Sequence, residues 1–317
     1  MVVKGTEFGI DPAAYEAQRT DWVNGLGGVV MEHCLQHAGL NVGDVVLEIG
    51  PGIGNSTRRL LEAGVSVVGI DPDERMLDYA RDHALQGRVS ENVDDFLWAH
   101  NRFSEAAGGV ALLLNASFGK GYEQLEEIAV KLGGFDGAAA FTSIHWVRRE
   151  LGWEPGLKMV ADVLDDDAPM MFAHMPHHIL ATEMAGGVLA EPGVDIVESQ
   201  RQFACRMKEV WPKDYLKDIS PEKRGRLPFV EDIPFLDVSP HFSDIPGGNM
   251  ASAVAERLTA QELIDDMDTY GENLVLDGPV RHAFYERIRR IVDNEFGGHV
   301  LVGVGATAQV VRRAQPD

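Results

Sequence analysis

The sequence predicts an α/β protein built on a doubly wound, mostly parallel β-sheet with an inserted cap. Short apolar runs alternate with stretches of helical periodicity from residue 44 to residue 175, which is the order that a parallel sheet covered by helices requires. This alternation stops at Pro176, and eight of the 15 prolines lie between Pro176 and Pro246. Because proline interrupts regular winding, that segment is predicted to be an insertion.

Composition limits the class of protein. At 317 residues and 45% hydrophobic, the chain can bury one large core or two smaller ones. Its 50 acidic residues outnumber 28 basic ones, and the net charge of -22 repels phosphate backbones and anionic membranes. Two cysteines are too few for a disulfide framework or a thiolate zinc site. No segment has the character of a signal peptide or a membrane span. We therefore expect a soluble, cytoplasmic protein without a nucleic-acid or membrane partner, and its oligomeric state is left open.

The predicted elements follow one another regularly along the chain. Residues 1–43 are expected to form a helical N-terminal arm, 44–175 and 251–317 the core, and 176–250 the cap. Apolar runs predict strands at Val45–Ile49, Ser66–Ile70, Val110–Leu114, Gly137–Ser143, Pro169–Ala173, Val300–Val304 and Ala308–Arg312. Helical spacing predicts helices at about Asn55–Ala63, Pro72–Ala84, Tyr122–Leu132, Leu157–Leu164, Thr259–Thr269 and Val280–Asn294.

A glycine-rich loop lies between the first predicted strand and the following helix. It reads Glu48-Ile49-Gly50-Pro51-Gly52-Ile53-Gly54-Asn55. Gly50 and Gly52 permit backbone angles and a close ligand approach that a Cβ atom would block. A dinucleotide fingerprint would place a third glycine at position 55, where this chain has Asn55. Glycines at 50, 52 and 54 after Glu48 instead have the spacing of S-adenosylmethionine (SAM)-dependent methyltransferases. A plain tight turn is the alternative interpretation.

Asp71 follows the second predicted strand, 21 residues beyond Gly50. A carboxylate at this position can accept hydrogen bonds from both hydroxyls of an adenosyl ribose. Asp71 also precedes Pro72, so it is equally suited to be the N-cap of the next helix. The two roles are compatible.

Several segments resemble class I SAM-dependent methyltransferases of the trans-aconitate and juvenile-hormone-acid methyltransferase type. They are Tyr15 with Arg19, VLEIGPGIGNSTRRL (46–60), VVGIDPDERML (67–77), FTSIHWV (141–147) and TAQELIDDMDTYGE (259–272). The resemblance covers residues 11–175 well and is patchy from there to 250. It implies a Rossmann-like sheet with an antiparallel last strand, SAM as the cofactor and a small molecule as the methyl acceptor.

The resemblance also implies which residues contact SAM. Asp71 would bind the ribose, Pro72 and Met76 would lie beside the adenine, and Thr142 would lie near the sulfonium. The other implied contacts are Tyr15, Arg19, Glu48, Gly50, Gly52, Asn55, Ser117 and Phe118.

One segment departs from the family pattern. The family usually has an acidic residue after the third strand, where this chain has Asn115-Ala116-Ser117-Phe118. Either Ser117 takes the place of that residue, or Asp94 and Asp95 are its equivalents.

His145 and Trp146 are the candidate catalytic residues, because they follow the fourth predicted strand at the carboxyl edge of the sheet. Trp146 could wall the pocket or face a sulfonium, and His145 could act as a base or orient the acceptor. A packed, hydrogen-bonded histidine is the structural alternative. The three histidines in residues 174–178 are not expected to bind metal, since Pro176 interrupts a helical ligand spacing and no cysteine is near.

The sequence thus predicts methylation of a small molecule on a carboxylate or hydroxyl oxygen. In-line transfer mainly requires that donor and acceptor be held together, and an ionised carboxylate needs no base. The cap is expected to be a lid that selects the acceptor, with aromatic residues such as Phe242 and eight basic residues from Arg201 to Arg226. The alternatives are an NAD-dependent oxidoreductase and a non-catalytic SAM-binding protein.

Overall fold

A computed structural model describes residues 11–18, 25–103, 108–174, 195–210, 235–267 and 278–315. The expected cofactor residue Arg19 lies outside these ranges. So do residues 175–194 and 211–234, which include most of the predicted lid.

An eight-stranded sheet forms the centre of the fold. In spatial order its strands are β3-β4-β2-β1-β5-β6-β8-β7. β1 to β6 are parallel, β8 is antiparallel to β6, and β7 is antiparallel to β8. The predicted doubly wound sheet with an antiparallel last strand is confirmed. The strands are β1 (Val45–Ile49), β2 (Ser66–Asp71), β3 (Val89–Ser90), β4 (Ala111–Asn115), β5 (Gly137–Phe141), β6 (Pro169–His174), β7 (Phe242–Thr259) and β8 (His299–Arg313).

Helices cover both faces of this sheet. An apolar core lies on each face of the sheet, and alternate residues of β1 belong to different cores. Val45 and Leu47 belong to the first core, and Val46 belongs to the second. The first core lies under α5 to α8, and the second lies under α2, α3 and α4. The helices are α1 (Pro12–Gln18), α2 (Gly25–Ala38), α3 (Asn55–Glu62), α4 (Glu74–Tyr79, continued by a π-helical turn at Ala80–Ala84), α5 (Val93–Phe103), α6 (Phe118–Leu132), α7 (Ile144–Leu151), α8 (Trp153–Val163), α9 (Ile196–Val210), α10 (Ala260–Met267) and α11 (Gly278–Glu295).

Three strands differ from the sequence prediction. Phe242 was expected in the lid, but it begins β7 and is buried in the first core. A register shift between Asp244 and Asn249 accommodates the proline and glycines that had indicated a loop. The two predicted closing strands are one strand, β8, because Gly303 and Gly305 stay paired opposite Ala255 and Ala253. The two-residue strand β3 was not predicted, since it is too short to show a period.

The C-terminal part of β7 and the N-terminal part of β8 extend past the carboxyl edge of the parallel strands. β6 ends at His174, which is paired with Thr307. The two-stranded ribbon formed by residues 252–259 and 299–306 therefore continues beyond β6. It packs with α9, α10 and α11 around a third apolar core, which includes Phe203, Met207, Leu263, Ile264, Ile288, Val292, Val300 and Val302. We call the ribbon and these three helices the upper subdomain.

Within the described ranges, no helix combines the length and apolar character that crossing a bilayer demands.

Candidate cofactor and acceptor site

The three glycines of the loop between β1 and α3 have different surroundings. All have positive φ angles, +73° at Gly50, +54° at Gly52 and +83° at Gly54. A Cβ atom on Gly50 would lie 2.5 Å from the Cβ of Ser143, and one on Gly54 would lie 2.9 Å from the Cβ of Ala80. A Cβ atom on Gly52 would meet nothing within 4 Å. Gly50 and Gly54 thus allow close packing of the protein, while Gly52 borders open space.

Asp71 is the last residue of β2, and it is hydrogen-bonded to Gly52 beside this open space. Its Oδ2 accepts a hydrogen bond from the Gly52 N–H at 3.1 Å, and its Oδ1 accepts one from the Asp73 N–H at 2.9 Å. Burial raises the pKa of Asp71 to about 6, and the two backbone donors oppose that rise. The carboxylate is therefore mainly ionised at pH 7. Each oxygen keeps a lone pair for a further donor.

Asp71 is not the N-cap of α4, so that alternative is wrong. The cap is Asp73, whose side chain accepts from the Arg75 N–H at 3.2 Å. The helix begins at Glu74 rather than at Pro72. The Asp71 carboxylate is therefore available to the glycine loop and to a ligand that binds beside the loop.

Glu48 lies within the protein and anchors the loop from β1. It is 1% exposed. Its Oε1 accepts from the Ser56 hydroxyl at 2.5 Å and its Oε2 from the Thr57 hydroxyl at 2.6 Å. Burial raises the pKa of Glu48 to about 7; the two hydroxyls lower it and the charge of Asp71 raises it further. Both oxygens thus have protein partners, so Glu48 fixes the first turn of α3.

The raised pKa of Glu48 gives a testable pH dependence of stability. A carboxyl whose folded-state pKa of about 7 exceeds its ordinary 4.5 stabilises the fold below pH 4.5, and that contribution is lost as the pH rises through 7. Glu48→Gln removes this titration. We therefore compare the free energies of unfolding of Glu48→Gln and of wild type at two pH values. When the pH is raised from 5 to 8, we expect the difference between them to change by about 1 to 3 kcal/mol in favour of the variant.

Urea unfolding at the two pH values measures this change. Glu123→Gln, at an exposed position of α6, is the matched control and should show no such improvement. An equal stability difference between Glu48→Gln and wild type at both pH values would contradict the assignment.

Thr142 has an unusual backbone conformation at the carboxyl end of β5. Its φ angle is +58°, a left-handed conformation that is rare for a β-branched residue. Its N–H donates to the Ala173 carbonyl at 2.7 Å, and its hydroxyl donates to the Phe141 carbonyl at 2.7 Å. The next residue, Ser143, donates its hydroxyl to the Ile49 carbonyl beside the glycine loop. Strain of this kind is concentrated at functional sites.

His145 and Trp146 lie on the first turn of α7, with ring centroids 4.9 Å apart. The Arg149 guanidinium carbon is 5.2 Å from the centroid of the Trp146 ring. Although the His145 side chain reaches solvent, burial by its surroundings lowers its pKa to about 4, and His174 and Arg149 lower it further. His145 is therefore neutral at pH 7 and a weak base.

The expected contacts Ser117 and Phe118, which follow β4, have partners within the protein. Ser117 donates its hydroxyl to Glu150 at 2.6 Å, and Glu150 also accepts from the Gly119 N–H at 3.2 Å. Phe118 is buried in the first core. Asn115, which was not among the expected contacts, lies beside Asp71: its Nδ2 donates to the Asp71 carbonyl at 3.4 Å and to the Pro72 carbonyl at 3.3 Å.

Asp94 and Asp95 lie in the first turn of α5, which follows β3, and both alternatives for the family's acidic residue stay open. Asp94 is 3.5 Å from Lys131, near the C-terminal end of α6. Asp95 accepts from the Asn92 side chain at 2.7 Å.

The remaining expected contacts surround α4. Met76 is buried and Pro72 is exposed. Tyr15 is on α1, which is joined to α4 by a hydrogen bond of 2.6 Å from the Tyr79 hydroxyl to Glu16. Asn55 is the first residue of α3. Pro72 and Met76 follow Asp71 along the chain, whereas Tyr15 and Asn55 stay predicted contacts.

A known protein family matches the part of the chain that holds the glycine loop and Asp71. Residues 46–108 match the family model described as "Methyltransferase domain". A ribosomal RNA small subunit methyltransferase of Arabidopsis thaliana is 47% identical over 49 residues, which are 16% of this chain and 14% of that protein. The uncharacterized methyltransferase YrrT of Bacillus subtilis is 44% identical over 66 residues, 21% of this chain and 30% of that protein.

Among solved structures, the cyclopropane synthase MmaA2 from Mycobacterium tuberculosis aligns with this chain. The TM-score is 0.44 at 12% identity, and the alignment covers 98% of this chain and 96% of that one.

The family match defines the class of the domain. The segment with the glycine loop and Asp71 is a SAM-dependent methyltransferase domain, so the predicted class and cofactor are confirmed. The chain spans less than a third of the length of each of the two curated relatives. The narrower resemblance to trans-aconitate and juvenile-hormone-acid methyltransferases stays a prediction.

Proposed function

We propose that the protein transfers the methyl group of SAM to an oxygen of a small, anionic molecule. The observation that carries the proposal is the junction of Gly52 and Asp71. At this point an ionised carboxylate is hydrogen-bonded to the one loop glycine whose missing Cβ leaves open space. An adenosyl ribose offers two hydroxyl donors, which matches the free lone pairs of Asp71.

The residues around this junction fit the cofactor. Gly52 leaves room for it, Asp71 would hold the ribose hydroxyls, and Glu48 keeps the first turn of α3 in place through Ser56 and Thr57. When bound, SAM supplies an electrophilic methyl group on a sulfonium. Thr142 lies at the end of β5, where the resemblance implies the sulfonium. The protein's task is then to hold the acceptor in line with this methyl group and to exclude water.

The surroundings of His145, where we propose that the acceptor binds, favour an anionic acceptor. Among the described residues, the charged or titratable groups that lower the pKa of His145 are His174 and Arg149, and neither is an acid. A neutral His145 with a pKa of about 4 would deprotonate an alcohol poorly. A carboxylate acceptor is already ionised at pH 7 and needs no base.

We propose that the upper subdomain forms the wall of the acceptor pocket. Its ribbon extends beyond the carboxyl end of β6, next to the strand ends that carry Thr142 and the glycine loop. Its helices are joined by paired hydrogen bonds of 2.6 Å from Arg206 on α9 to Glu295 on α11. Closure of the site from this side would keep water from the reacting atoms. The proposed lid would complete that closure.

An RNA acceptor is the second candidate, because some curated relatives are named as ribosomal RNA methyltransferases. Their similarity is limited to segments of 49 and 71 residues, which are 16% and 22% of this chain. The acidic character of this chain opposes binding to a phosphate backbone. A small acid therefore fits better.

The proposal is tested by incubating the protein with methyl-labelled SAM and a panel of acceptors. The panel contains small aliphatic and aromatic carboxylic acids, phenols and small-subunit ribosomal RNA. We expect label in an ester that alkali cleaves, formed from one of the acids. We expect His145→Gln to retain activity within about tenfold, because no base is required. Label in RNA, or in an alkali-stable product, would replace the proposed acceptor; binding of SAM without any transfer would indicate a non-catalytic protein.

A further inference from the structure

We infer that His174 is a second acceptor-binding residue, which forms with His145 a pair of neutral imidazoles that hold the oxygen atoms of an anionic acceptor. This inference rests on the proposed function and adds a specificity-determining residue to the same site. It concerns the acceptor alone, because Gly52 and Asp71 belong to the cofactor side.

The strand register places His174 at the site. β5 and β6 are adjacent and parallel, with Phe141 opposite Ala173. The Thr142 N–H donates to the Ala173 carbonyl at 2.7 Å, so His174 lies level with Thr142 at the carboxyl edge. The His174 carbonyl accepts from the Thr307 hydroxyl at 3.4 Å, which connects it to β8 at the base of the ribbon. His174 thus stands between the strained end of β5 and the upper subdomain.

The His174 side chain departs from the burial pattern of its strand. Residues 169–173 of β6 are buried and His174 is exposed. Within the described part of the chain, no side-chain hydrogen bond is made by the ring of either His174 or His145. Met170 and Phe172 of β6 pack into the first core with Ile144 and Val147 of α7, so by strand alternation His174 points toward the face of the sheet that α7 covers. His174 also lowers the pKa of His145, and although its ring reaches solvent, the surrounding protein lowers the pKa of His174 itself. Among the residues that the structure describes, the two imidazoles thus keep their ring nitrogens for a ligand at this edge of the sheet.

The chemistry of the pair selects the ligand. A neutral imidazole has one N–H donor and one acceptor nitrogen. Two such rings can donate one hydrogen bond to each oxygen of a carboxylate, and the Arg149 guanidinium lies close enough to lower the pKa of His145. The geometry points to a small carboxylic acid.

The test compares three variants in the SAH-loaded protein. His174→Phe keeps a flat ring without nitrogen donors, His174→Gln restores one N–H donor, and His282→Phe on an exposed position of α11 is the control. The probe is the carboxylic acid that gives the highest rate in the labelled-methyl assay, or citrate if no acid is methylated. Calorimetry measures the binding of SAH and of the acid, and steady-state kinetics measures KM and kcat.

We expect His174→Phe to raise the KM or Kd for the acid by about 10- to 100-fold, with kcat and SAH affinity changed less than about threefold. His174→Gln should recover part of the loss, and His282→Phe should behave as wild type. In wild type, the imidazole nuclear magnetic resonances of His145 and His174 should both shift when the acid binds. Unchanged affinity for the acid in a folded His174→Phe variant, or a shift of neither resonance, would overturn the inference. A wild-type protein that binds no SAH would instead refute the proposed function.

Discussion

Replacing Asp71 by alanine is expected to weaken SAM binding by about 1.5 to 3 kcal/mol, or about 10- to 150-fold in Kd. The variant loses a carboxylate that is ionised at pH 7 and is placed against the open side of Gly52. It also leaves the N–H groups of Gly52 and Asp73 without their partners, which will cost stability of about 1 to 3 kcal/mol. A domain of ordinary stability survives that loss.

Asp73→Ala is a strict control, because it removes a buried carboxylate two residues away. Asp73 caps α4 and pairs with Arg75 at 2.8 Å, so its loss should lower stability by about 1 kcal/mol without changing the Kd for SAM. Calorimetry at several pH values adds a second readout. Wild-type affinity should fall as the pH drops through about 6, where Asp71 becomes protonated, and Asp71→Ala should lose this dependence. Equal affinities of wild type and Asp71→Ala would remove Asp71 from the cofactor site.

The central strands could be predicted from the sequence because burial on both faces gives them an unbroken apolar run. β1, β4 and β5 are short runs of this kind, ended by glycine or polar residues. β7 could not be predicted, because it lies at the edge of the sheet and alternates irregularly between buried and exposed residues. Its bulge also contains the proline and glycines that are typical of a loop.

The upper subdomain is a second feature of the fold that could not be predicted from the sequence. Periodicity predicted helices close to α10 and α11, but periodicity gives the buried face of a helix and not the element it packs against. Both helices were expected in the core domain. They instead pack with α9 and the ribbon around a separate core beyond the end of β6.

The candidate site likewise contains residues that could be predicted from the sequence and residues that could not. Gly52 and Asp71 could be predicted from local spacing, since a strand, a glycine turn and a strand end fix their positions. The roles of Asn115 and Glu150 could not, because they depend on contacts between segments about 30 to 45 residues apart. The left-handed φ of Thr142 is likewise set by its bond to Ala173 on the neighbouring strand.

Gly52→Val is expected to abolish SAM binding, with a Kd raised more than about 100-fold, in a protein that still folds. The φ angle of +54° makes a β-branched residue unfavourable there by about 1 to 2 kcal/mol. No protein atom lies within 4 Å of the new Cβ, so the valine need not displace any part of the fold. It would occupy the space beside Asp71 that the cofactor requires.

The matched control for this variant is Gly133→Val. Gly133 also has a positive φ, +90°, and a Cβ there would likewise meet nothing within 4 Å. It follows α6 at the opposite edge of the sheet from the glycine loop. The two variants should therefore lose similar stability in urea unfolding, whereas calorimetry should find loss of SAM binding in Gly52→Val alone. If both bind SAM as wild type does, Gly52 does not border the cofactor. If both lose binding, backbone strain rather than occupied space is the cause. Only the difference between them assigns the open side of Gly52 to SAM.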